Sequence, residues 1–240
     1  YNINLNPIDA NISYRCLGES CDIGQTEKGM LNKQFPQCAN GYVVVQASGY
    51  ETSNYLYSTT EPGIINIIME KEYPLTVKLK LDGNDYNGQA VVSFVKDNGA
   101  SSQTLVYPQQ NIAHLSEGQN EIQVYIYRNS SLEIPASTKT QCVNVPTSWF
   151  GGILGITQEK CFDVTIPSQV ISSALSGGGK QQQYVIESQL SSSNILEINS
   201  QSFPVPSTLD QLQVNYVIFD SQHLGVNFKG YYTDMALTVG

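Results

Sequence analysis

Charge, arginine and histidine are scarce in this sequence. Charged residues make up 14% of its 240 residues, where an ordinary soluble domain carries about 25%. The formal net charge is −9, and Arg15 and Arg128 are the only arginines. Nucleic acid requires Lys and Arg to neutralise phosphates, and base readout requires arginine forks, so a nucleic-acid partner is excluded. An anionic membrane surface is disfavoured on the same ground. With only His114 and His223, no histidine stands in a metal-ligand or nucleophile-activating signature. Neither GxSxG nor HExxH occurs, and no pair of carboxylates stands in a recognisable glycosidase frame. No run of about 18 apolar residues is present. The chain opens at Tyr1 without methionine or signal peptide, which reads as an excised segment or a processed ectodomain.

Two near-motifs are better explained as turns. In SGGGKQ, Ala174 stands where a phosphate loop needs its first glycine and Gln181 where it needs Ser or Thr. The run reads as a hairpin or a helix end. DGNDYNG, from Asp82 to Gly88, has Tyr86 at the fifth position of a calcium loop and Ser93 at the twelfth, where carboxylates or amides belong. It reads as a hairpin tip, with a different calcium site on Asp82, Asn84 and Asp85 as the rival. The expectation is therefore no catalytic residue, no metal and no cofactor.

What the chain does have is cysteine: Cys16, Cys21 and Cys38 close together, and Cys142 and Cys161 on either side of an apolar stretch. A zinc site would require CxxC pairs or histidine partners, which are missing. Disulfides, and with them an extracellular or cell-surface location, are the better reading. Cys142 pairs naturally with Cys161, a closure that stabilises by about 3 kcal/mol through the unfolded chain. Among the other three, Cys16–Cys21 and Cys21–Cys38 are nearly equal choices, and spacing does not decide between them. The sequons NIS at Asn11 and NSS at Asn129 suit glycosylation in the same compartment.

Nearly every segment alternates like a strand and ends in a turn. ANISYRC, GYVVVQASGY, GIINIIMEK, PLTVKLKL, QAVVSFVK, NEIQVYIYR, KTQCVNV, KCFDVTI, QYVIES, QVNYVIF and LGVNFK are β-branched or aromatic. Asn-Gly and Asp-Gly pairs separate several of them. One stretch, PSQVISSALSGGG, reads as a helix, because Val170, Ile171, Ala174 and Leu175 share a helical face and glycines follow. The predicted class is all-β, tandem β-sandwich domains with at most one short helix. A boundary is expected near Tyr73, giving one sandwich over residues 1–72 and a second, single or double, over 73–240.

The strand after PIDAN, the strand over Gly24–Thr26, NGYVVVQASGY ending in Gly49–Tyr50 and the apolar strand before Lys71 together carry a resemblance. Over residues 8–72 the chain is similar to the carboxypeptidase regulatory-like and PEGA-like modules, transthyretin-like sandwiches that serve as stalks on prokaryotic surface proteins. AHLSEGQNEIQVYIYRNSS echoes the pattern. The cysteines and the poor leading strand YNINLN depart from it. The resemblance implies a sandwich without an active site.

Between Cys142 and Cys161 lies TSWFGGILGIT, an apolar segment holding Trp149, Phe150, Ile153, Leu154 and Ile156. Displayed, it would be an interaction loop; packed between modules, it would be ordinary core, and packed is the expectation. The function read from the whole is a non-enzymatic extracellular structural or adhesive protein, with a protein partner or self-assembly on a cell surface. The alternative is a carbohydrate-binding or accessory module of a larger secreted enzyme, its tyrosines stacking on glycans. A third reading, membrane contact, follows from the likeness of a disulfide-based apolar tip to the fusion loops of class II fusogens.

Removing metal should leave this protein intact. EDTA is expected to move the melting temperature by no more than a degree or two, since loss of a saturating ion removes several kcal/mol. A large drop on chelation overturns the metal-free reading.

Overall fold

Period-two alternation becomes burial. In β5 (Tyr73–Leu81), Leu75, Val77, Leu79 and Leu81 are buried while Lys78 points to solvent. The computed structural model describes residues 1–96, 101–146 and 157–230. With 54% of the structure in strands and 9% helical, the fold is all-β. Contacts divide the chain into two units: Tyr1–Val124 with Lys180–Ser200 and the chain from His223 onward, and Tyr125–Gly179 with Gln201–Gln222.

The first unit contains a four-stranded antiparallel sheet in the order β2-β1-β3-β4. These are β1 (Asn11–Cys16), β2 (Glu19–Gln25), β3 (Gly41–Gln46) and β4 (Ser53–Tyr57). Leu17 and Gly18 both take positive φ, 51° and 92°, as a two-residue hairpin turn requires. Ile12, Tyr14, Val43 and Val45 share the inward face and form a core with Ala10, Cys38 and Met69. Tyr14 is its centre. The phenol donates to the Tyr57 carbonyl at 3.0 Å and accepts from Thr59 Oγ1 at 3.1 Å, and its ring meets Phe35 edge-on at 5.6 Å. Gly41 has to be glycine, because a Cβ there would run into the Tyr14 ring.

The same unit holds most of a nine-stranded sheet in the order β6-β5-β14-β13-β10-β7-β8, with β9 beside β5 and β15 beside β14. Its other strands are β6 (Asn84–Asp85), β7 (Ala90–Lys96), β8 (Ser102–Tyr107), β9 (Ile112–Leu115), β10 (Gly118–Ile134), β13 (Gln169–Val185), β14 (Ile195–Ser202) and β15 (Gly225–Lys229). β5 and β14 pair in parallel, Val77 opposite Leu196, and their apolar residues Leu75, Val77, Leu79, Leu196 and Ile198 are buried. A short helix α1 (Glu187–Ser192) precedes β14.

In the second unit, β11 (Ser137–Pro146) and β12 (Thr157–Ile166) form a two-stranded sheet of their own. Helix α2 (Leu209–Ser221) stacks Phe219 on Tyr125 at 4.4 Å, over a core with Leu175 and Phe203. Asn215, buried on the same helix, donates to the Leu175 and Pro204 carbonyls at 2.8 and 2.9 Å.

Several expectations are corrected. PSQVISSALSGGG is not helical: Gln169–Val185 is one strand. Residues 174–179 are buried without a break, and a strand covered on both faces loses the alternation that identifies it. Two helices, rather than at most one, stand among the described residues. QVNYVIF, expected as a strand, lies in α2. Thr208 caps it by accepting from the Gln211 amide. GIINIIMEK buries Met69 but forms no strand of a sheet; the Tyr1 amino group donates to the Ile67 carbonyl at 3.0 Å, and Lys71 makes an isolated bridge with Tyr50.

Replacing Tyr14 by Phe removes the hydroxyl that joins Tyr57 and Thr59 and is expected to cost about 1–3 kcal/mol in denaturant unfolding. An unmoved midpoint would take Tyr14 out of this role.

Candidate functional site

Polar groups converge most densely around a buried lysine in the first unit. Lys96, at the end of β7, is only 8% exposed. Its Nζ donates to Glu51 Oε2 at 2.7 Å, to Ser116 Oγ at 3.0 Å and to Glu70 Oε2. Ser116, just past β9, donates in turn to Glu51 Oε2 at 2.6 Å. The backbone aligns the two carboxylates, since the Glu51 amide donates to the Glu70 carbonyl at 2.8 Å. Burial acts to raise the Glu51 carboxyl, but hydrogen bonds from Lys96 and Ser116 outweigh it and hold the group below the usual carboxylate range. Burial acts to lower the Lys96 ammonium, yet Glu51 and Glu70 hold it above its ordinary value.

A serine hydroxyl beside a lysine invites comparison with a Ser–Lys dyad. The charges run the wrong way for one. A dyad lysine must be neutral to take the serine proton, whereas Lys96 is held protonated and the Ser116 hydroxyl already donates its hydrogen bond to Glu51. The arrangement is a fully paired ionic network. Beside it, Glu72, His114, Gln103 and Asn120 line a small polar cavity of about 460 Å³. Burial raises the Glu72 carboxyl, opposed by the nearby His114.

Two other features stand apart in the same unit. Glu197 on β14 accepts from Lys229 at 2.7 Å and lies 3.3 Å from Lys80. Its carboxyl is lowered chiefly by the Lys229 hydrogen bond. Alongside the four-stranded sheet opens a half-open cavity of about 1440 Å³. Its walls are Ile12, Val43, Val45 and Met69 from the core and Phe35 and Ile65 from the covering segments.

The sequence-predicted residues are placed as follows. Cys142 and Cys161 are joined, directly opposite each other on β11 and β12. Cys16 is joined to Cys38, with Cα atoms 6.3 Å apart. That replaces both pairings weighed from spacing and leaves Cys21 as a thiol. In the hairpin register Cys16 faces Glu19, and Cys21 faces Tyr14. Asn11 and Asn129 are exposed on β1 and β10. Asp82 and Gly83, at φ 54° and 83°, form the turn between β5 and β6 that sets Leu81 opposite Asn84. Among the described residues, no three His, Cys, Asp or Glu side chains gather as a metal-ligand set. SGGGKQ lies inside β13 and is neither a hairpin nor a helix end. Its glycines permit close approach: a Cβ on Gly179 would collide with the Gln222 carbonyl. Trp149, Phe150, Ile153, Leu154 and Ile156 lie outside the described residues.

Sequence reasoning missed the Lys96 network, whose carboxylates come from 45 and 26 residues away in the chain. No local motif announces such a meeting. No family model, curated protein or solved structure matches the chain.

The network makes a pH prediction. Glu51 is depressed in the folded state, so its contribution is complete above the unfolded carboxyl pKa and is lost as pH falls through the folded one. Lys96 is raised, so its contribution is complete below the unfolded lysine pKa and is lost as pH rises through the folded one. In Lys96→Met, Glu51 is left buried without a cation, at a cost of about 3–5 kcal/mol at neutral pH. That deficit should shrink as acid protonates Glu51. Glu70→Gln, at a half-exposed carboxylate, should cost under about 1 kcal/mol. Denaturant midpoints across pH check both, and a deficit that grows in acid would overturn the assignment.

Proposed function

We propose that this chain is a non-enzymatic, extracellular structural or adhesive β-sandwich protein that works through self-association or a protein partner at a cell surface. The observation that carries the reading is the β11–β12 ribbon. Ten residues on each side pair from Ser137↔Ile166 to Pro146↔Thr157, and among the described residues the ribbon joins no other sheet. An isolated two-stranded ribbon is marginal in water. Here Cys142–Cys161 locks the register, and Thr140 Oγ1 donates to Asp163 Oδ1 across it at 2.6 Å. A covalently locked ribbon whose two ends are joined by TSWFGGILGI suits a contact element better than a core element.

Two disulfides are compatible with an extracellular protein. Among the described residues no helix is long and apolar enough to cross a membrane. The one serine–lysine pair that invites an enzymatic reading is locked in an ionic network, which favours the non-enzymatic reading.

The test replaces residues 141–162 by a short Asn-Gly turn between Thr140 and Asp163. Sedimentation velocity and electron microscopy over a concentration series should show assembly in the parent and its loss in the variant, with the unfolding midpoint of the remainder unchanged. A parent that stays monomeric and adheres to no cell surface would count against the proposal, as would a variant that still assembles. Saturable binding on a glycan array, abolished by one Tyr→Ala change, would replace it with the carbohydrate-binding reading.

A further inference from the structure

Residues 64–69 read I-I-N-I-I-M, and their burial alternates as in a strand although they join no sheet. Ile65 and Ile67 pack against the core around Tyr14, and Met69 lies within it. Ile64, Asn66 and Ile68 face solvent, with Ile64 92% exposed and Ile68 54%. Hydrogen bonds identify the two edges. Tyr1 donates to the Ile67 carbonyl and accepts from the Met69 amide at 2.8 Å, the two bonds that a parallel neighbour makes. On the opposite edge Glu51 donates to the Glu70 carbonyl at 2.8 Å and the Glu72 amide donates to Gly49 at 2.9 Å. Backbone groups alternate between the two edges along a strand, so Ile64, Asn66 and Ile68 present theirs on the Glu70 edge. Among the described residues, none of those six amides and carbonyls is hydrogen-bonded. An uncharged, β-branched edge of this kind is a template for another strand.

The sequence itself indicates which strand fits. Ile64-Ile65-Asn66-Ile67-Ile68 reads the same in both directions about Asn66, and a two-fold contact requires a surface complementary to itself. We infer that two copies of this chain dimerise by antiparallel pairing of Ile64–Ile68 about a two-fold axis at Asn66. In that register Ile64 lies opposite Ile68 of the second copy, Ile65 opposite Ile67, and Asn66 opposite Asn66. Ile64, Asn66 and Ile68 each exchange both backbone bonds with the residue opposite, so all six free groups are satisfied. The two Asn66 carboxamides meet on the outer face and set the register. A slip of two residues leaves each of them opposite an isoleucine, and a slip of one turns every side chain to the wrong face.

Charge agrees with the same pairing. No ionisable side chain occurs from Pro62 to Met69, so two chains of net charge −9 can approach there. The axis carries each exposed Glu61 toward the end of the other copy that bears exposed Lys71, where Glu70 is already paired with Lys96. Pro62 has no N–H with which to continue the ladder. Pairing consumes the free edge of both copies, so the contact closes at a dimer. It stands on a different element from the ribbon of the proposed function.

Sedimentation equilibrium of the full chain and of the ribbon-shortened variant, up to about 1 mM because so short a contact is of the weak class, tests this. Shortening the ribbon is expected to remove larger assembly and leave the dimer. A monomer there overturns the inference and leaves the ribbon reading untouched. Asn66→Lys sets two like charges opposite each other at the axis and is expected to weaken the dimer at least about tenfold. Its unfolding midpoint should not move, because Asn66 is exposed. Asn66→Cys places two sulfurs across a hydrogen-bonded pair whose Cα spacing of about 5.5 Å a disulfide spans. Oxidation should link position 66 of one chain to position 66 of the other, and peptide mapping separates that link from any made by Cys21. Ile68→Cys should not link to itself, since its counterpart stands opposite Ile64. A dimer that Asn66→Lys leaves intact, or that links at position 68 as readily as at 66, overturns the proposal.

Discussion

A lysine buried to 8% exposure must bring its counter-charges with it. Withdrawing an ammonium from water costs several kcal/mol, and that is recovered only when well-placed acceptors surround it. In the first unit this requirement fixes where four chain segments meet: the turn carrying Glu51, the extended stretch ending at Glu70, the end of β7 and the residue after β9. The paired sheets could be packed on hydrophobic contact alone, but contact tolerates sliding. The ionic network does not, because a shift in register would strand a charge. Twelve basic residues serve the whole chain, and Lys80, Lys96 and Lys229 are committed to internal ion pairs. The scarcity of charge noted in the sequence is therefore sharper still on the surface.

Alternation made the all-β class legible, and it is clearest in β5, in β7 and over Asn120–Ile126 of β10, which bury every second residue. It fails where both faces are covered. Residues 174–179 of β13 are all buried, so their apolar residues match helical spacing by coincidence, and the glycines read as a terminator when they are points of close contact. The error in α2 had a remedy in plain view. Thr208-Leu-Asp-Gln211 is the capping-box pattern, and the β-branched run after it drew the reading toward a strand. Cysteine pairing is a different kind of failure. Spacing says how long a loop is, but only register says which side chains share a face, and Cys16 faces Glu19. The Lys96 network was beyond reach, because its partners are brought together by the packing of two sheets and leave no periodic or local trace.

The two disulfides close loops of similar span, with sequence separations of 22 and 19, so chain entropy assigns each about 3 kcal/mol. Their structural meaning differs all the same. Cys16–Cys38 lies at the end of a four-stranded sheet that also has a hydrophobic core and the Tyr14 hydrogen bonds. It is one support among several. Cys142–Cys161 sits in a ribbon that, among the described residues, has no neighbouring strand. There the covalent bond is the main restraint on register.

That contrast is what favours a contact role over a catalytic one. Catalysis places reactive groups on rigid elements and perturbs their protonation toward the working pH. Among the described residues, Glu51 and Glu197 are displaced downward and Lys96 upward, Tyr73 is pushed up to about 12 by burial and its hydrogen bond to Glu187, and Glu72 is raised by burial. The ion-paired Glu51, Lys96 and Glu197 hold fixed charges, as structural ion pairs require. The ribbon adds a covalent lock on the register of two strands that, among the described residues, join no other sheet. On the proposed reading, fixed interior charges and a register-locked ribbon would let the chain keep its shape while it is held at one point. A structural or adhesive component, as proposed here, would have that mechanical requirement.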